Sequence, residues 1–159
     1  MLDPQQPKNP KEQAMARVST YLNFPRSTEE AFEFYRSVFG GSFSGPIHRF
    51  ADMPVAPGQP SLAPADRELV MHVELPILGG HVLMGTDAPE SMGFTVNPGN
   101  QMYINLEPDT RAETERLYAG LSAGGKVEMP LQDMFWGAYF GSFTDRFGVH
   151  WMLNCAAKA

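Results

Sequence analysis

A strand, a capped helix and a glycine stop occur twice in this chain, in the same order, and any fold must accommodate both copies. Tyr21-Leu22-Asn23-Phe24-Pro25 is echoed by Tyr103-Ile104-Asn105-Leu106-Glu107-Pro108. The capping-box pattern Ser27-x-x-Glu30 is echoed by Thr110-x-x-Glu113, and Tyr35, Val38 and Gly41 by Tyr118, Leu121 and Gly124. Gly80-His81-Val82-Leu83-Met84 likewise matches Gly148-Val149-His150-Trp151-Met152. The offset is 82 from Tyr21 to Tyr103, 83 from Tyr35 to Tyr118 and 68 from Met84 to Met152. The drop of 15 matches Ala51–Asp66, which holds four prolines without periodicity, so the first copy carries a loop that the second lacks.

Each copy reads strand, helix, strand, strand, strand. Arg17–Phe24 alternates, with Thr20, Leu22 and Phe24 on one face and Ser19, Tyr21 and Asn23 on the other. In the following helix Ala31, Phe34, Tyr35 and Val38 form an apolar stripe, and Gly40-Gly41 ends it. Ser42–Phe50 reads as a strand, as does Glu68–Leu75, where Met71, Val73 and Leu75 face away from His72 and Glu74. Met129–Leu153 holds both tryptophans and four of the eleven phenylalanines, and reads as a three-strand meander in the core, broken at Trp136-Gly137 and Asp145–Gly148. The expected organisation is a flexible tail over 1–14 and one domain over 15–159, made of a module at 15–86, a linker at 87–100 and a module at 101–155.

Composition narrows the partners. Net charge is −6 and the twelve Lys and Arg are scattered, which argues against nucleic acid. No apolar run is long enough for a membrane span and the first residues are polar, so a cytoplasmic protein is expected. The single Cys155 excludes an internal disulfide and reads as a small apolar residue ending a strand. No Gly-rich phosphate loop follows a strand, which speaks against nucleotide binding and against a Rossmann-like methyltransferase.

Tyr21–Phe24, Phe34-Tyr35, Phe39–Gly41, Met71–Leu75 and above all Gly124–Pro130, Phe135-Trp136, Phe143–Asp145, Phe147-Gly148 and Trp151-Met152 carry a family likeness. Over about residues 17–155 the chain resembles the vicinal oxygen chelate superfamily of glyoxalases, bleomycin-resistance proteins and extradiol dioxygenases, in its PhnB-like branch. The resemblance implies an α+β fold of two paired βαβββ modules, a curved eight-stranded mixed sheet with helices outside, and a homodimer. It also implies metal ligands on the first and last strand of each module. By the repeat these positions are Ser19, Met84, Gln101 and Met152, a hydroxyl, an amide and two thioethers that do not suit a hard divalent cation. The expectation is therefore no metal and no cofactor.

What remains for the concave face is Tyr21, Asn23, Met84, Tyr103, Asn105 and Met152, with Phe135 and Trp136 closing one end, a lining suited to a small organic molecule. Two functions fit that lining. One is a small-molecule-binding protein of the bleomycin-resistance type that does no chemistry. The other is a metal-independent isomerase or lyase using His72 with Glu74, or His150, as acid and base. His48 and His81, near strand ends, read as surface residues.

Overall fold

The computed structural model describes residues 16–156, so the expected tail at 1–14 lies outside the described residues. The chain runs β1 (Thr20–Phe24), α1 (Thr28–Phe39), β2 (His48–Arg49), a short helix α2 (Pro64–Arg67), β3 (Val70–Pro76) and β4 (Val82–Asp87). It then repeats as β5 (Ile104–Leu106), α3 (Arg111–Ser122), β6 (Lys126–Asp133), β7 (Tyr139–Thr144) and β8 (His150–Cys155). The eight strands divide into two four-stranded mixed sheets of the same topology, β1-β4-β3-β2 and β5-β8-β7-β6. In each, the first strand runs parallel to the last and the remaining pairs are antiparallel. β1 and β5 are the edges of their own sheets, and both line one cleft.

The helices cover one face of the sheets. Helix α1 buries Thr28, Ala31, Phe32, Tyr35 and Val38 and stops at Gly40, whose φ of 79° favours glycine. Phe32, outside the expected stripe, is fully buried where Phe34 is only partly so; its ring lies on Gly85 of β4, where an added Cβ would stand 2.5 Å from it. Helix α3 buries Thr114, Leu117 and Leu121 against β6, β7 and β8. The core joins these residues to Val73, Leu75, Leu83, Phe143, Trp151 and Leu153 from the inward faces of both sheets.

One buried carboxylate ties the two halves together. Asp145 accepts hydrogen bonds from the Tyr35 hydroxyl at 2.6 Å, Trp151 Nε1 at 2.9 Å, and the Phe147 and Val149 amides at 2.8 and 3.0 Å. Four donors satisfy a charge that burial would otherwise penalise. Burial and then Asp145 push the Tyr35 phenol well above its ordinary value, so it stays a donor.

Four expectations change. Ser42–Phe50 is a strand only at His48–Arg49, followed by a single tight turn over Phe50–Asp52. Thr110 accepts the Glu113 amide as expected, but Ser27 makes no side-chain cap. β6 is almost wholly exposed, so the buried part of the meander is β7 and β8. Finally, Tyr21 pairs with Met84 while Asn105, not Tyr103, pairs with Met152. The offset between first strands is thus 84 (105 minus 21), and the counterpart of Ser19 is Tyr103 rather than Gln101.

Candidate functional site

The face of the sheets away from the helices carries the polar side chains, because strand alternation that turns Leu22, Val73, Leu83 and Trp151 inward turns their neighbours outward. In the first half Tyr21, His72 and Glu74 form a chain. The Tyr21 hydroxyl lies 3.0 Å from His72 Nδ1, and His72 Nε2 lies 3.0 Å from Glu74 Oε1. A carboxylate only accepts, so Nε2 bears the proton, and in the neutral imidazole Nδ1 accepts from Tyr21. Partial burial, with Glu74 behind it, raises the Tyr21 phenol above its ordinary value.

The second half builds a similar group from different positions. The Tyr103 hydroxyl donates to Glu128 Oε2 at 2.7 Å and Thr144 Oγ1 reaches both Glu128 Oε1 and His150 Nδ1 at 2.9 Å. His150 Nε2 donates to the Gly99 carbonyl at 2.6 Å, its Nδ1 stands 3.4 Å from Glu128 Oε1, and its ring lies 5.1 Å from that of Tyr103. The Tyr103 hydrogen bond, followed by those from Thr144 and His150, holds the Glu128 carboxyl below its usual range against an opposing effect of burial. Sheet register makes Ser142, not Glu128, the counterpart of Glu74, since each pairs with the methionine of its last strand. The two Tyr/His/Glu groups are therefore not copies inherited through the repeat.

Two clefts open at the junction of the halves. The first, of about 670 Å³, lies between β1 and β5 and is lined by Tyr21, Tyr103, Asn105, His81, His150 and the Leu78-Gly79 turn among others. The second, of about 720 Å³, takes in Tyr21, Asn23 and Thr86 together with Phe50, Phe94 and Phe147. Tyr21 lines both. Among the described residues that line them there is no Lys or Arg.

The expected site residues thus fall into three groups. Tyr21, Asn23, Tyr103, Asn105 and His150 line the clefts. Met84 and Met152 share that outward face, Met84 receiving the Ser19 hydroxyl at 3.8 Å, but line neither cleft, and the same holds for His72 and Glu74. Phe135 and Trp136 stand at the β6–β7 turn, 97% and 55% exposed, and also line neither. His81, read as a surface residue, is partly buried in the first cleft with Nε2 at 2.9 Å from Thr20 Oγ1. Phe94 in the second cleft comes from a Gly/Pro-rich segment with no periodicity to mark it, and Glu128 from an exposed strand.

The metal positions implied by resemblance can be tested on this register. Ser19, Met84, Tyr103 and Met152 offer two hydroxyls and two thioethers, with no imidazole or carboxylate, and Ser19 is already bonded to Met84. That donor set does not fit a hard divalent ion. Among the described residues, no three His, Cys, Asp or Glu side chains gather as a ligand set elsewhere.

Comparison with known proteins agrees with the fold. The Glyoxalase/Bleomycin resistance protein/Dioxygenase superfamily profile matches residues 18–153. Protein YjdN of Escherichia coli K12 is 30% identical over 146 residues, which is 86% of this chain and 93% of that protein. Among solved structures, protein PA1353 from Pseudomonas aeruginosa is 35% identical with a TM-score of 0.76, over 91% of this chain and all of that one. The PhnB protein from Bacillus cereus is 28% identical with a TM-score of 0.67, over 89% of this chain and all of that one. The chain belongs to the glyoxalase/bleomycin resistance/dioxygenase superfamily.

Proposed function

We propose that this is a small-molecule-binding protein that holds an aromatic organic ligand, neutral or cationic, in the clefts between its two halves, without a metal. The observation that carries the reading is the lining: aromatic walls, hydroxyl, amide and imidazole tips, and no Lys or Arg among the described lining residues. Such walls supply contact area while a few polar tips fix orientation. An anionic ligand would meet Glu107 in the first cleft, with Glu74 and Glu128 on the same outward face, and no fixed positive charge to offset desolvation. Thermal-shift screening with neutral and cationic aromatic compounds and peptide-like cations tests this. The expected result is a raised midpoint for at least one compound, abolished in Tyr103→Ala; no shift across the set contradicts it.

The same reading includes a homodimer. Its support is the hairpin tip at Phe135-Trp136 and the exposed β6, since aromatic side chains this exposed are common at interface cores and an open sheet edge invites a partner.

A further inference from the structure

The segment that joins the two halves is pinned at one end and nearly free at the other. Ser91, in the short turn Glu90–Met92, donates to Asp66 Oδ2 at 2.9 Å and accepts from Arg26 Nη2 at 3.0 Å, while Arg26 also reaches Asp66 Oδ1 at 2.7 Å. Asp66 is 3% exposed, so this clasp holds the chain up to Gly93, whose φ of 86° places it in the left-handed region. From Thr95 to Gln101, among the described residues, no backbone N–H or C=O enters a backbone hydrogen bond. A single hydrogen bond reaches this stretch, from His150 Nε2 to the Gly99 carbonyl at 2.6 Å.

We propose that residues 94–98 are a gate over the second cleft, with Gly93 as its hinge and His150 as its latch, so that a side chain lining one cleft controls access to the other. This rests on the clefts being a ligand site and adds a means of entry and release.

Phe94, Thr95, Val96, Asn97 and Pro98 all line the second cleft, so a displacement of this stretch removes one of its walls. Only Val96 among them is partly buried, and Phe94 is 49% exposed, so little burial opposes the movement. His150 by contrast is fixed from behind. β8 pairs with both β5 and β7, and His150 Nδ1 stands 2.9 Å from Thr144 Oγ1 and 3.4 Å from Glu128 Oε1. A carbonyl only accepts, so Nε2 carries the proton in either charge state of the ring. An acceptor in the first cleft, which His150 also lines, can take that N–H only in place of Gly99. A ligand oxygen there therefore frees the gate, and removal of the side chain mimics that state.

The test needs no ligand. Nitrogen-15 relaxation should give order parameters above about 0.7 for the Thr95, Val96, Asn97 and Gly99 amides in the wild type and below about 0.6 in His150→Ala, with Ser91 and Met92 unchanged. His150→Gln, whose side-chain amide can donate to the same carbonyl, should restore most of the order, which separates the latch from a general loosening of β8. His150→Asn, too short to reach Gly99, takes the place of the alanine variant if that one does not fold. Access is read in the same samples with a neutral piperidine nitroxide, which broadens the amides it can approach. Broadening at Thr86 and Phe147, both in the lining of the second cleft, should rise about twofold or more in His150→Ala, as a minor open state becomes the major one, and fall back in His150→Gln. Order parameters equal in wild type and His150→Ala overturn the latch. A mobile segment without added broadening at Thr86 and Phe147 overturns the gate. Either failure leaves the binding reading standing, since that is decided separately by the thermal-shift screen.

Discussion

Asp145 shows what single residues contribute here, because its two oxygens collect donors from α1 in one half and from the β7–β8 turn and β8 in the other. Tyr35→Phe removes one donor from a buried charge and adds nothing, so it should destabilise by about 1–3 kcal/mol in denaturant unfolding. Gly85→Ala should also destabilise, since the new methyl meets the buried Phe32 ring, and paired Phe32→Leu should recover part of the loss. Glu128 gives a pH signature. Its folded carboxyl is depressed by Tyr103, Thr144 and His150, so its contribution is present above the unfolded value and fades as pH falls through the folded one. Glu128→Gln should therefore lose less stability on acidification than the wild type, read from unfolding midpoints across the acid range.

The elements differ in how far the sequence announces them. β7 and β8 are legible because the run is rich in aromatic and apolar residues and Asp145–Gly148 carries turn chemistry, and in β8 alternation buries Trp151, Leu153 and Cys155. β2 was not, because only His48 and Arg49 of Ser42–Phe50 find partners on β3, and pairing is a property of the neighbour rather than of the run. The repeat placed Tyr21 and Tyr103 in register at an offset of 82, where the sheets use 84. Both offsets are even, so side-chain period 2 keeps every residue on its face while the register slips by two. That is why Tyr21, Asn23, Tyr103 and Asn105 stand on the expected outward face although their counterparts across the repeat differ. The Tyr21–His72 contact joins strands 51 positions apart in the chain, and no local pattern encodes it. At the helix starts the expected outcomes diverge: Thr110→Ala should cost about 1 kcal/mol, and Ser27→Ala about a few tenths, in unfolding free energy, since only Thr110 holds an amide.

At the scale of the whole molecule, two similar sheets set β1 and β5 on either side of one cleft without sharing a hydrogen-bonded ladder, while α1 packs on α3. The aromatic turn at Phe135-Trp136 is exposed and lines neither cleft, and it is the surface on which the proposed homodimer is tested. Light scattering at micromolar concentration should give about 35 kDa, twice the 17.6 kDa chain, and Phe135→Ser with Trp136→Ser should shift it toward the single-chain mass. A wild-type species of 17.6 kDa contradicts the dimer. Whether the junction clefts hold an aromatic organic ligand is decided by a crystal structure with the compound that raises the thermal midpoint furthest. Ordered density in contact with Tyr21 and with Tyr103 or Phe94 is expected; a ligand seated elsewhere, with both clefts filled only by solvent, would contradict it.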